Sequence, residues 1–207
     1  MPSVLVIVFL ISGCAPGIKI LGNMPKDIAA KPPASLLNQC TAVLTEYKVI
    51  QNNRVMVDDQ AVIEHFMKQL YQKEIFRQII TGPKNIDHSS CPLEIKILMT
   101  EKLGHNMFID SVKAFFVGFS FYMLSPVLPM KYSFVSDMKM DVIGTDGKTW
   151  IFQTSSSGIA GIPLLYPLEG TALNSLVTQV RERNYALIIS KMYQDEKFLR
   201  DTPKYPK

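Results

Sequence analysis

Histidine is scarce in this chain, with three among 207 residues. They stand apart at His65, His88 and His105, and no second ligand lies three or four residues from His65. That spacing excludes a His-Glu-x-x-His metal site, and neither a Walker loop nor a Gly-x-Gly-x-x-Gly turn is present. The serine run Ser155-Ser156-Ser157-Gly158 lacks the Gly-x-Ser-x-Gly elbow, and no histidine follows it. The chain is therefore expected not to be an enzyme and to hold no metal or redox cofactor. Long apolar runs are also missing. Val4 to Ile11 is unbroken but far short of the about 20 residues that span a bilayer as a helix. Ala114 to Met130 carries no charge, yet Gly118, Pro126 and Pro129 interrupt it. The formal net charge is +4, and its Lys and Arg residues are dispersed. A nucleic-acid partner, which calls for a clustered basic face, is not expected.

What is present begins at the first residue. Met1 to Cys14 reads MPSVLVIVFLISGC, with the apolar run followed by the small residues Ser12 and Gly13 and then cysteine. The run fits the roughly 7–15 residue apolar core of a secretory signal, although no Lys or Arg precedes it. Leu10-Ile11-Ser12-Gly13-Cys14 resembles the lipobox of bacterial lipoproteins. The resemblance implies a signal peptide over residues 1–13 and a mature chain starting at Cys14. It further implies a diacylglyceryl group on the Cys14 thiol and an acyl chain (palmitate) on its amine, the only non-protein groups expected. Two or more acyl chains anchor a protein stably. Ala15 stands where aspartate marks inner-membrane retention in such proteins, which favours the periplasmic side of the outer membrane, with the inner membrane and the cell surface as the other locations open. In that compartment Cys40 and Cys91 can form a disulfide, or be two separate buried thiols.

Residues 14–39 hold Pro, Gly and Ala without a sustained period, which predicts a lipidated tether. An α+β domain is expected over 40–194. Val43 to Ile50 reads as a strand, and Asp58-Asp59 as the cap of a helix running to about Ile80, ahead of Gly82-Pro83. Leu93 to Glu101 alternates apolar and polar residues as a second strand. A β-α-β unit of this length favours parallel neighbouring strands. Cys40 and Cys91 would then share one edge of a mixed sheet, where a bridge requires Cα atoms within about 7 Å. Lys131–Ile143 and Lys148–Ser155, joined through Asp146-Gly147, predict a C-terminal β-hairpin with a register break near Ser136-Asp137. Ser155–Gly161 reads as a loop. Thr171 to about Tyr193 reads as a packing helix with Arg181, Glu182 and Arg183 on its solvated side, and residues 195–207 as a polar, frayed tail.

The aromatics Phe115, Phe116, Phe119, Phe121 and Tyr122 are numerous for one segment, and Leu164, Leu165 and Tyr166 add a second apolar patch within Ile159–Pro167. A buried core segment is one reading; an exposed surface that meets a membrane or an envelope protein is the other. The functional expectation is a lipid-anchored, non-enzymatic interaction or assembly component of a membrane-associated complex. The alternative is a module binding lipid or another apolar ligand in a pocket lined by the same side chains.

Overall fold

Alternation of inward and outward side chains dominates the fold. In the computed structural model, residues 16–22, 40–56, 60–73, 76, 78–81, 92–120, 123–124, 128–163 and 169–201 are described. Their order is β1 (Gly17–Leu21), β2 (Thr41–Gln51), β3 (Arg54–Val55), α1 (Gln60–Gln72), β4 (Gln78–Thr81), β5 (Pro92–His105), α2 (Met107–Phe119), β6 (Met130–Ile143), β7 (Thr149–Ile162), α3 (Glu169–Gln194) and α4 (Glu196–Asp201). The strands form one mixed sheet in the order β1-β7-β6-β5-β2-β3, with β4 beside β2. This is a single-domain α+β fold, as the sequence predicts. Within it the contacts gather into two compact units. The first holds Met1–Gly22, Lys102–Val135 and Ser156–Arg181; the second holds Asn23–Glu101, Ser136–Ser155 and Glu182–Lys207.

In the second unit β2 runs parallel to β5, from Thr41 opposite Pro92 to Gln51 opposite Glu101, and parallel to β4 over Thr41–Leu44. The parallel pair is the one predicted. Asn52 and Asn53 turn the chain into β3 at φ 49° and 64°, a left-handed pair suited to a tight hairpin. Helix α1 buries Ile63, Phe66, Met67 and Leu70, the i, i+3, i+4, i+7 stripe. It stops at Gln72, short of the predicted Ile80, because Gln78–Thr81 pairs with β2 instead. Strand β6 alternates without a break: Tyr132, Phe134, Ser136, Met138, Met140 and Val142 are all buried. The predicted slip near Ser136 is absent because Asn184 satisfies that serine in the core. Its Nδ2 donates to the Ser136 carbonyl at 2.8 Å and to the hydroxyl at 3.1 Å. The β6–β7 turn is closed by Gly147 at φ 78° and by the Lys148 amide donating to Asp146 Oδ1 at 3.1 Å.

Two more expectations are corrected in this unit. Arg183 is buried rather than solvated. The polar tail contains α4, whose Phe198 is fully buried and meets Phe152 and Trp150 edge-on at ring-centroid distances of 5.3 and 5.5 Å. Phe198, with the partly buried Leu199 beside it, thus docks an otherwise charged segment. Cys40 is buried and disulfide-bonded; Cys91 lies outside the described residues.

In the first unit the core consists of Tyr132, Phe134, Ala160, Ile162, Ala172, Leu176 and Val180, with Ile18 and Ile20 of β1 packed on it. Residues 155–161, predicted as a loop, belong to β7. Small residues hide the strand signal there because α3 comes very close. A Cβ on Gly158 would lie 2.8 Å from Leu176 Cδ1 and 3.0 Å from both Ile20 Cδ1 and Val180 Cγ2. Strand β1 is a second departure. Gly17–Leu21, inside the predicted tether, pairs antiparallel with Ser157–Gly161. No helix among the described residues is long and apolar enough to cross a membrane.

Candidate functional site

The feature of the first unit that calls for explanation is helix α2. Asn106 caps it, its side chain accepting from the Ile109 amide at 3.1 Å. Four residues at helical spacing, Asp110, Lys113, Ala114 and Val117, are buried or half-buried. Lys113 and Asp110 form an ion pair at 3.6 Å, and Lys113 Nζ donates to the Pro129 carbonyl at 2.8 Å. The other face carries Met107, Phe108, Ile109, Val112, Phe115, Phe116 and Phe119, each between 43 and 79 % exposed. Phe115 stacks on Phe119 at 6.4 Å and meets Phe116 edge-on at 5.8 Å. Ser111, also outward, donates its hydroxyl to the Met107 carbonyl at 2.8 Å. The usual amphipathic arrangement is reversed: charge faces in, and rings face out.

Beneath the helix Tyr132 donates its hydroxyl to the Glu169 carboxylate, and its ring lies 5.5 Å from that of His105. Burial, followed by the hydrogen bond and charge of Glu169 and the charge of Asp110, pushes the Tyr132 phenol up to about 12. The folded protein therefore favours the neutral phenol. The stability this contributes is complete below the ordinary value of 10.0 and is lost as pH climbs through about 12. Alkaline unfolding followed by circular dichroism is expected to show a limb in that window that Tyr132→Phe lacks. Identical limbs in the two proteins would contradict the assignment.

Of the residues singled out in the sequence, Phe115, Phe116 and Phe119 share the exposed face of α2. Phe121, Tyr122, Leu164, Leu165, Tyr166, Cys14 and Cys91 lie outside the described residues. Ile159–Ile162 is not a free patch, since it forms part of β7, with Ala160 and Ile162 in the core. Met107, Phe108, Ile109 and Val112 were not among the residues singled out and extend the surface by a full turn and more. Their signal was the spacing of Phe108, Val112, Phe115 and Phe119 opposite the Asp110–Lys113 pair. The larger described cavities, of about 470 and 900 Å³, are lined from β5, β6, β7, α3 and the start of α4, with no aromatic of α2 among their walls. Among the described residues no three of His, Cys, Asp and Glu stand together as metal ligands would.

No protein-family model and no curated protein matches the chain. Solved structures give looser likenesses. A protein described as a neuraminyllactose-binding hemagglutinin homolog from Helicobacter pylori is 12% identical, with 87% of this chain and 95% of that one covered and a TM-score of 0.49. Rare lipoprotein B from Shewanella oneidensis is 10% identical, with 76% and 98% covered and a TM-score of 0.44. A minor lipoprotein from Acinetobacter baumannii is 9% identical, with 83% and 99% covered and a TM-score of 0.39. The chain thus has lipoproteins among its structural neighbours, at identities and scores too low to transfer a role from any of them.

Proposed function

We propose that this chain is a lipid-anchored lipoprotein of the bacterial envelope, held through Cys14 at the periplasmic face of the outer membrane, and that it acts as a non-enzymatic interaction component there. The lipobox supports the anchor. The observation that carries the interaction role is the outward apolar face of α2. A free-standing protein gains nothing by turning four phenylalanines outward while an Asp–Lys pair is folded under the same helix. Such a face serves a surface that covers it, whether an envelope protein or a bilayer. The pocket alternative finds no comparable support, because the rings project from the helix rather than line a cavity.

A photoreactive residue at position 115 in intact cells is expected to capture a neighbour other than this chain. Replacing Phe116 and Phe119 together by serine should cut that capture about ten-fold. Both rings are half or more exposed, so unfolding should shift by no more than about 0.5 kcal/mol for each. Collapse of the fold would make these residues core, and the reading wrong; so would a face that captures nothing.

A further inference from the structure

We infer that the outer face of α2 lies in the bilayer interface beside the lipidated N-terminus, so that the protein is held by two contacts, acyl chains and helix. The inference rests on Cys14 being the lipidated residue. Only Ala15 and Pro16 separate it from Gly17 of β1. Three residue steps reach about 11 Å at most, in place of a long tether. Strand β1 and helix α2 belong to the same compact unit, and a unit of that size keeps every surface within about 40 Å of the anchor.

The chemistry of the face selects lipid over protein. A protein interface carries about one hydrogen bond per 100–200 Å² and a polar rim. This face offers Met107, Phe108, Ile109, Val112, Phe115 and Phe119, and its one outward hydroxyl, on Ser111, is already satisfied within the helix. Hydrocarbon demands that kind of internal satisfaction. The ions of the helix, Asp110 and Lys113, are paired on the opposite side. Exposed charge elsewhere in the unit is Lys19, Lys102 and Lys131 against Glu169, which also accepts from Tyr132, while Asp110 is buried. An excess of exposed cations over anions in the unit suits an anionic headgroup layer.

The test uses the full-length lipidated chain reconstituted in vesicles of phosphatidylethanolamine and phosphatidylglycerol with brominated acyl chains. Trp150 is the one tryptophan of the chain, so Trp150→Phe combined with Phe116→Trp, or separately with Phe119→Trp, places the only indole on α2. Fluorescence is expected to fall several-fold relative to unbrominated vesicles at both positions. A chain that floats with the vesicles but shows no quenching at either position overturns the insertion and leaves the anchor standing. A chain that does not float overturns the anchor and the inference with it. In cells, a photoreactive residue at position 115 that captures another protein instead of phospholipid also overturns it.

Discussion

Replacing Cys14 with serine is expected to move nearly the whole population of the protein out of the membrane fraction, or to leave an uncleaved precursor. Serine keeps the size of the side chain and removes the thiol that the diacylglyceryl transfer needs. Each buried methylene of an acyl chain contributes about 0.8 kcal/mol, so losing two or three chains removes tens of kcal/mol of partitioning free energy. The exposed face of α2 would then be the sole contact, and one amphipathic surface binds reversibly. Fractionation together with metabolic labelling by an alkynyl fatty acid reads both effects. Acyl labelling that survives the change would place the anchor elsewhere and remove the central assignment.

Phe198→Ala should cost about 3–5 kcal/mol of unfolding free energy, the range for emptying a buried phenylalanine site. The ring is fully buried between Trp150 and Phe152. The six residues of α4 are too few to be helical alone. Besides Phe198 the segment has the partly buried Leu199 and its cap, where Asp195 Oδ1 accepts from the Phe198 amide at 2.9 Å. The variant should therefore release α4 and open the edge of the core that it covers. Phe119→Ala is the comparison: the same atoms removed from a ring 79 % exposed should cost less than about 0.5 kcal/mol. Urea unfolding of the two variants separates a buried plug from an outward ring. A loss below about 1 kcal/mol for Phe198→Ala would show that α4 is not part of the cooperative unit.

These contrasts mark what the sequence could reveal. Strand β5 was legible because Leu93, Ile95, Ile97 and Met99 face one core while Glu94 and Lys96 face away. The parallel pairing of β2 with β5 followed from the helix between them, and Asp146-Gly147 marked the turn before β7. Strand β1 was not legible. Its partner, Ser157–Gly161, lies far along the chain, and short alternation among prolines and glycines reads as linker. The middle of β7 was hidden for a related reason: Gly158 is there to admit α3, so the apolar signal is missing where the packing is tightest. The end of α1 was misplaced because Ile79 and Ile80 fit either a helical stripe or a strand, and only tertiary pairing with β2 decides. In α2 the aromatic residues stood out in the sequence but their direction did not. Hydrophobic residues usually turn inward, and the buried Asp110–Lys113 pair, three residues apart, reverses that expectation.

Strand β1 also has a mechanical consequence. With Cys14 lipidated as proposed, the anchor would join an edge strand after two residues, and any pull on the acyl chains would reach Gly17 first and pass into the ladder with β7. Along the strand axis the load is shared by all five paired positions, from Gly17 opposite Gly161 to Leu21 opposite Ser157. Across that axis it opens them one at a time, starting with the glycine pair, where no side chains interlock. The edge strand is thus a clamp whose strength depends on the direction of the force.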